Sequence, residues 1–162
     1  MNWGDGKLSS TKPTRSGYIF KNWNEKQDGS GKSYNPGDTY KATANATLYA
    51  QWTVNVLTVI YNANGGTQAS GNSYPLPYTT TENYGNNYNG TNGLWDISTF
   101  GLNKRGYGAS YWNTNTAGTG YSISQNTSYT AQGLASACGL DLSTGSRTIN
   151  FYPKWEANTY TI

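Results

Sequence analysis

The chain contains two copies of one aromatic and glycine pattern, the second 89 positions after the first. The matching positions carry the same residue in both copies: Gly17 and Gly106, Tyr18 and Tyr107, Trp23 and Trp112, Gly29 and Gly118, Gly31 and Gly120, and Tyr40 and Tyr129. A repeat of this kind is typical of tandem modules, each of which is one small structural unit. It therefore argues against a single catalytic domain.

Each copy closes on a short aromatic segment that ends in tryptophan. Leu48–Trp52 reads LYAQW, and Phe151–Trp155, 103 positions later, reads FYPKW. Because this spacing exceeds 89, the second copy must contain an insertion before Phe151. An asparagine, Asn55 or Asn158, follows each closing tryptophan at the third position and precedes a run rich in β-branched residues. Such a run favours a strand, so each closing segment should lead directly into the next module.

These motifs resemble the Listeria–Bacteroides repeat, also called the internalin B-repeat. The resemblance covers Pro13–Trp52 in the first copy and Val56–Trp155, with two insertions, in the second. It implies a mainly β fold with little helix, built from tandem small modules of β-grasp-like shape; small β-sandwich modules are the alternative. It also implies a position in tandem along bacterial surface proteins, with no catalytic residues to carry over.

The repeat predicts the division of the chain into modules. We expect a first module at 1–52, a second at 56–155, and the start of a third at 158–162. Val56–Tyr61 is the expected opening strand of the second module, and the first module lacks an equivalent of it. The chain thus resembles an internal fragment of a longer array.

Two insertions separate the second module from the family pattern, at about 67–101 and at 131–145. The second insertion has the strongest helical composition in the chain, because it is rich in Ala and Leu. Gly133 and Gly139 should limit any helix there to one or two turns.

Aromatic residues should build the core, because the chain has 15 Tyr and 6 Trp but few aliphatic residues. Only 12% of its residues are charged, against about 25% in an average domain. Aromatic side chains bury a large area each, so a short module can form a core from them. The predicted core residues are Tyr18, Trp23, Trp52, Tyr107, Trp112 and Trp155.

The residue types needed for common catalytic chemistry are missing from the sequence. There is no His, so neither a Ser–His nor a Cys–His nucleophile pair can form. Cys138 lies among Ala, Gly and Leu and is expected to be a small core residue. Asn24, Asp28 and Ser30 resemble part of a calcium loop but lack the closing Glu. We therefore expect a protein that is not an enzyme and has no cofactor or metal site.

The first insertion contains a candidate ligand-binding group. Tyr84, Tyr88 and Trp95 could form a flat apolar platform for a sugar. The amides that could surround it belong to Asn86, Asn87, Asn89 and Asn92. The alternative interpretation is that these rings fold the long insertion onto the sheet.

The charge and the hydropathy of the chain argue against nucleic acid as a partner and against insertion into a membrane. The net charge of +3 has no dense basic stripe, which argues against nucleic acid, and no apolar run is long enough for membrane insertion. We expect an extracellular spacer and adhesion module on a bacterial cell surface, with a host or cell-wall protein or glycan as partner. The alternatives are a carbohydrate-binding module and an accessory domain of a larger surface enzyme.

The C-terminal residues could join molecules head to tail. Thr159–Ile162 has the sequence of a strand start, and the first module lacks its opening strand. A free strand can fill such a gap by edge pairing, and contacts of this kind generate chains. The alternative is that both ends only reflect where the fragment was cut.

Overall fold

The computed structural model describes residues 5–42, 44–89 and 94–162. The chain divides into two compact units, unit 1 (Met1–Val54) and unit 2 (Asn55–Ile162). Strands make up 37% of the structure and helices 7%, which confirms the predicted mainly β fold with little helix. The β-grasp-like shape and the module boundaries stay predictions.

Unit 1 is built from short antiparallel strands. Its strands are β1 (Asp5–Lys7), β2 (Tyr18–Asn24), β3 (Ser33–Tyr34), β4 (Thr39–Lys41) and β5 (Tyr49–Val54). The sheet order is β3-β2-β5, and β1 pairs with β4 in a separate two-stranded sheet. Phe20 of β2 packs on Trp23 and Trp52, with ring centroids 5.2 and 5.8 Å away. These three rings tie β2 to β5, as expected of a module that relies on aromatic side chains.

Unit 2 has a five-stranded main sheet with two short ladders beside it. Its strands are β6 (Val56–Tyr61), β7 (Thr67–Gln68), β8 (Tyr78–Asn83), β9 (Leu102–Asn103), β10 (Tyr107–Gly108), β11 (Tyr111–Asn113), β12 (Ser122–Ser124), β13 (Arg147–Pro153) and β14 (Glu156–Ala157). The main sheet has the order β12-β11-β13-β6-β8, in which only β13 and β6 are parallel. The short ladders join β7 to β9 and β10 to β14.

Strand β6 lies near the centre of the main sheet and alternates in burial. Its residues Leu57, Val59 and Tyr61 are buried, whereas the residues between them are half-buried. The same alternation in β13 buries Ile149 and Phe151. A period of two is what a strand requires when one face packs on a core and the other meets solvent.

The core of unit 2 combines a cluster of aromatic rings with aliphatic side chains such as Leu57 and Leu134. Tyr61 contacts Trp112 and Phe100, with centroid distances of 4.9 and 5.0 Å, and Trp112 also contacts Phe151 at 6.3 Å. Offset and edge-to-face ring pairs at such distances stabilise beyond the area that they bury. The core therefore depends on rings contributed by β6, β11 and β13.

A short helix, α1 (Ala131–Ala137), covers one part of this core. It buries Ala131, Leu134 and Ala135. The Thr130 side chain accepts a hydrogen bond from the Gly133 amide, which satisfies a free donor at the helix start. Just past the end of the helix, Gly139 has a φ of +73°, which glycine adopts without strain. This confirms the predicted helix of one or two turns.

The insertion at about 67–101 contributes a full strand to the main sheet. Its described residues are 67–89 and 94–101, and they contain β7, β8 and a 3-10 turn at Ile97–Phe100. β8 pairs with the whole of β6, from Val56 opposite Asn83 to Tyr61 opposite Tyr78. The insertion is therefore an edge strand with its connections, which the sequence pattern did not predict.

Residues 158–162 form no strand in the structure. The Asn158 amide donates to the Gly106 carbonyl oxygen at 2.9 Å, and the residues that follow are exposed. The assignment of this segment to a third module, and its role in self-association, stay predictions.

Burial should make the Cys138 thiol unreactive. The side chain is 6% exposed, and burial raises the pKa of its thiol to about 12. The thiolate is the reactive form, so we expect labelling by a thiol reagent at pH 8 to be much slower in the folded chain than in urea. Equal labelling rates in the two conditions would contradict this placement.

Candidate functional site

The repeated hairpin has the same register in both units. In unit 1, β2 pairs with β5, so that Tyr18 lies opposite Val54 and Trp23 opposite Ala50. In unit 2, Tyr107 lies opposite Ala157 and Trp112 opposite Pro153. In each case the first residue of the pair lies 89 positions after its counterpart in unit 1, and the second residue lies 103 positions after.

An irregularity occurs at the same place in both hairpins. In unit 1 the register shifts between Phe20 and Asn22. In unit 2 the matching residues, Ala109 and Tyr111, lie where β10 ends and β11 begins. A bulge bends a strand and re-aims the side chains beyond it, and such irregularities are built features of a fold. The two units therefore share local geometry as well as residue types.

A buried asparagine holds the turn that follows this hairpin strand in unit 1. The Asn24 Oδ1 atom accepts hydrogen bonds from the backbone amides of Lys26 and Gly31, at 2.8 and 3.0 Å. Its Nδ2 atom donates to the Gly31 carbonyl oxygen and to Ser33 Oγ, both at 2.9 Å. The side chain thus replaces backbone pairing across the turn.

Asn113 makes the same four hydrogen bonds in unit 2. Its Oδ1 atom accepts from the amides of Asn115 and Gly120, at 3.0 and 3.1 Å. Its Nδ2 atom donates to the Gly120 carbonyl oxygen at 3.1 Å and to Ser122 Oγ at 3.0 Å. All four partners lie 89 positions after four of those of Asn24, which also donates to the Gly29 carbonyl oxygen at 3.1 Å. We call this arrangement the asparagine lock.

The glycine in each lock is required by the close approach of the asparagine. A Cβ atom at Gly31 would lie 2.9 Å from Asn24 Oδ1, and one at Gly120 would lie 3.1 Å from Asn113 Oδ1. The same atom at Gly120 would come even closer to Thr114 Oγ1, so a side chain at either position would crowd the lock. This explains why both glycines belong to the repeated pattern.

The predicted core residues differ in how deeply they are buried. Trp112 is fully buried, while four of the others are half-buried: Tyr18, Trp23, Trp52 and Trp155. Tyr107 was expected in the core but is 43% exposed. The Lys104 ammonium lies 4.5 Å from the centre of the Tyr107 ring, in a cation–π contact that suits a ring at the surface.

The structure does not bring the three predicted ligand-binding rings together on one surface. Tyr88 is 1% exposed, and its hydroxyl bonds to the hydroxyls of Tyr61 and Thr80 inside the core. Tyr84 is half-buried and packs against the core. Of the surrounding amides, Asn92 lies outside the described residues. Trp95 remains as the predicted ring beside an open pocket.

Trp95 is held in an aromatic cluster and borders a surface pocket of about 280 Å³. Its ring lies 4.4 Å from the Tyr74 ring and 5.6 Å from the Phe100 ring. Its Nε1 atom is buried and has no hydrogen-bond partner among the described residues. The residues that line the pocket are Tyr74, Asn89, Leu94, Trp95, Asp96, Thr99 and Asn126.

The polar side of this pocket contains an ionised carboxylate. Burial opposes the ionisation of Asp96, but hydrogen bonds from Ser98 and Asn126 outweigh it and hold the pKa of the carboxyl below its usual value. The Asn126 Nδ2 atom donates to Asp96 Oδ2 at 3.0 Å. The pocket is therefore lined by aromatic rings beside amide and carboxylate groups.

The residues that resembled a calcium loop have other partners. Asn24 forms the asparagine lock, and Asp28 Oδ1 accepts from the Ser30 amide and hydroxyl at 3.0 and 2.7 Å. In the described part of the chain, no three His, Cys, Asp or Glu residues are grouped as metal ligands would be. We assign no metal site to this turn.

Comparison with known protein families finds a match within unit 1. Residues 4–51 match the family model of the Listeria-Bacteroides repeat domain. This segment of unit 1 is similar to the Listeria-Bacteroides repeat. The match confirms the resemblance found in the sequence, and it covers nearly the whole of unit 1. That unit 2 is a second repeat stays a prediction, which the shared register and the two asparagine locks support.

Two proteins of Evansella cellulosilytica are similar to part of this chain. One, provisionally named a Gly-rich membrane protein, is 51% identical over 57 residues, which is 35% of this chain and 7% of that protein. The other, provisionally named a membrane protein, is 52% identical over 42 residues, or 25% of this chain and 6% of that protein. The matched segments are thus small parts of much longer chains. No solved structure is significantly similar to this chain.

The asparagine lock of the repeat was missed by sequence reasoning. Asn24 was considered only as a calcium ligand, and Asn113 was not considered. The signal was present, because the pattern Asn-x6-Gly-x-Ser occurs at 24–33 and again at 113–122. A search for repeated polar positions, beside the aromatic ones, would have found it.

Proposed function

We propose that this chain is a non-catalytic tandem repeat segment of a bacterial surface protein, acting as a spacer and adhesion element. The observation that carries the proposal is that one hairpin, with one register and one asparagine lock, is built twice. A chain that repeats a scaffold rather than a reactive site suits a role in which length and shape matter. The match of unit 1 to a repeat family supports the same role.

The chemistry of the side chains supports a non-catalytic role. The chain has no His, and the Cys138 thiol is buried and protonated at neutral pH. The buried hydroxyls of Tyr61 and Tyr88 bond to each other at 2.9 Å, and burial raises the pKa of both. These groups stabilise a core and offer no poised acid or base.

The relatives support a location at the cell envelope. The similar proteins carry the names of membrane proteins, and the matched segments are a small fraction of their length. Among the described residues of this chain, no helix is long and apolar enough to cross a membrane. We propose that this segment lies outside the cell in a longer surface protein.

Display on a bacterial surface tests the spacer role. One, two or four copies of the chain are placed between a wall anchor and an epitope tag, and the distance of the tag from the membrane is measured by super-resolution microscopy. A folded spacer should move the tag outward in proportion to copy number. A Gly/Ser linker of equal residue count is the control, because its reach grows only as about the square root of length. Square-root growth for the repeats, or no growth, would contradict the proposal.

An antibody against the chain tests its location. Intact cells of the source organism should be labelled as strongly as permeabilised cells. Labelling that requires permeabilisation would place the segment inside the cell and overturn the proposal.

Carbohydrate binding is a second candidate function, and the Trp95 pocket favours it. A ring face with adjoining amide and carboxylate groups can stack on a sugar and bond to its hydroxyls. Trp95 borders this pocket, and its buried Nε1 atom has no partner in the described part of the chain.

Calorimetry with purified cell-wall polysaccharide tests this candidate. Thr99 is an exposed pocket residue, so Thr99→Arg should block the pocket while the fold is retained. Trp95→Ala should abolish binding, and Tyr84→Ala, outside the pocket, is the matched control. Binding that survives Thr99→Arg, or no binding by the unaltered chain, would exclude the pocket as a sugar site.

A further inference from the structure

The strands β6 and β13, near the ends of unit 2, are paired in parallel, whereas β2 and β5 of unit 1 are antiparallel, so the two units should respond differently to a pulling force. When tension is applied at the two ends of the chain, it enters unit 2 at Asn55 and leaves beyond Ala157. In unit 1 it leaves at Val54. The strands next to these points carry the load first, so their pairing decides how each unit resists.

We propose that unit 2 is a mechanical clamp that resists tension by shear, whereas unit 1 opens at lower force as a zipper. The first strand of unit 2, β6, is paired in parallel with β13 near its end. The register runs from Leu57 opposite Arg147 to Tyr61 opposite Phe151. Once the two-residue ladder of β10 and β14 opens, tension pulls the start of β6 and the end of β13 in opposite directions along the strands. All the pairs between them are therefore loaded together.

Hydrogen bonds extend this parallel pair at both ends. The Val56 amide donates to Ser146 Oγ at 3.0 Å, and the Asn62 amide donates to the Phe151 carbonyl oxygen at 2.9 Å. The Asn62 Nδ2 atom also donates to the Phe151 carbonyl oxygen, at 3.2 Å. The loaded region is thus longer than the five paired residues of each strand.

The core lies under the same two strands. Sliding β13 along β6 would displace Ile149 and Phe151 from their contacts with the buried face of β6. Apolar and aromatic area would be exposed to water before the strands separate. Shear of this pair therefore disrupts hydrogen bonds and packing in one step.

Unit 1 is loaded differently at its last strand. Tyr18, the first residue of β2, lies directly opposite Val54, where the load leaves the unit. In the described part of unit 1, β5 is an edge strand that pairs with β2 alone. Once the three-residue ladder of β1 and β4 opens, tension pulls Tyr18 and Val54 apart at one end of an antiparallel pair. Such a pair opens one residue pair after another.

The contrast gives the spacer two responses to tension. Unit 1 would unfold and lengthen the chain, while unit 2 would keep its core and any surface that it presents. This consequence rests on the proposed function in one respect: a surface spacer is what would be placed under tension. The mechanical difference itself is a property of the purified chain.

Single-molecule pulling of the full chain from its two ends tests the inference. We expect two unfolding events, a short one at low force and a longer one at higher force. At about 3.5 Å per residue, release of 18–54 adds at most roughly 130 Å, and release of 56–153 adds at most roughly 340 Å. The lengths identify the units. If the long event comes first or at the lower force, the clamp is wrong.

A change of pulling direction isolates the geometry from the stability of unit 2. Asn83 is exposed and lies directly opposite Val56, so a handle on Asn83→Cys, with Cys138→Ala in all arms, loads β6 against β8 as a zipper. Pulling between the N-terminus and position 83 should abolish the high-force event, while the unit 1 event stays as an internal reference. The same variant pulled from its ends should keep both events. Equal forces in the two directions would overturn the proposal.

The outcome is separate from that of the surface-display experiment. A spacer without a clamp would extend the epitope tag in proportion to copy number but show no dependence on pulling direction. A clamp in a chain that is not a surface spacer would show the reverse pattern.

Discussion

Replacement of Trp112 by alanine is expected to lower the free energy of unfolding of unit 2 by roughly 3–5 kcal/mol. The ring is fully buried and contacts the rings of Tyr61, Phe100 and Phe151. Its Nε1 atom donates to the Trp95 carbonyl oxygen at 2.6 Å, so the substitution also leaves an acceptor without its partner. Urea unfolding followed through NMR amide signals of unit 2 measures the change, with signals of unit 1 as the reference.

Two further variants test whether removal of a buried ring causes this loss of stability. Trp112→Phe keeps a ring in the cluster and should cost less than Trp112→Ala. Tyr107→Ala removes a ring that is 43% exposed, and should cost less than about 1 kcal/mol despite its contact with Lys104. If Trp112→Ala and Tyr107→Ala have equal effects, the core has been misplaced.

The repeated hairpin could be predicted from the sequence because its positions are chemically distinctive. Tryptophan has a large ring that fits few environments, and Trp112 follows Trp23 at the offset of 89 residues shared by the other repeated positions. Register could not be predicted, since pairing depends on contacts between β11 and β13, which lie far apart in the chain. The family match confirms the resemblance in the first copy, and the second copy stays a prediction.

The main sheet of unit 2 was only partly predictable. β6 was expected because its β-branched residues favour a strand. β8 was not, because Tyr78–Asn83 is rich in Thr and lies in an insertion with many Asn and Gly residues. Its strand conformation depends on β6, which offers a complete row of backbone partners. A polar edge strand of this kind carries little signal of its own.

The candidate ligand-binding site could also be predicted only in part. Tyr84, Tyr88 and Trp95 were grouped because they are close in sequence, yet Tyr88 bonds to Tyr61 in the core. Trp95 instead borders a pocket with Asn126, thirty-one positions away. Proximity in sequence cannot show which ring of an insertion turns inward, since that depends on the space left by other strands.

Loss of either asparagine lock should destabilise its own unit and leave the other unchanged. Asn113→Ala removes four hydrogen bonds at a fully buried position and leaves two amides, a carbonyl and a hydroxyl without this partner. Each buried polar group left unpaired costs about 1–3 kcal/mol, but water can reach part of the opened turn, so we expect a loss of roughly 3 kcal/mol in unit 2. Asn24→Ala should have the corresponding effect in unit 1.

In each variant, the unit that carries no substitution is the internal control. Each variant is unfolded in urea, and NMR amide signals report the two units separately. Asn150→Ala, at an exposed position of β13, should change the stability of unit 2 by no more than about 0.5 kcal/mol. If Asn113→Ala behaves like Asn150→Ala, the lock does not stabilise the hairpin. In that case the two asparagines would be a shared feature of the repeats without a shared energetic role, and the turn would be held by its glycines and its backbone pairing alone.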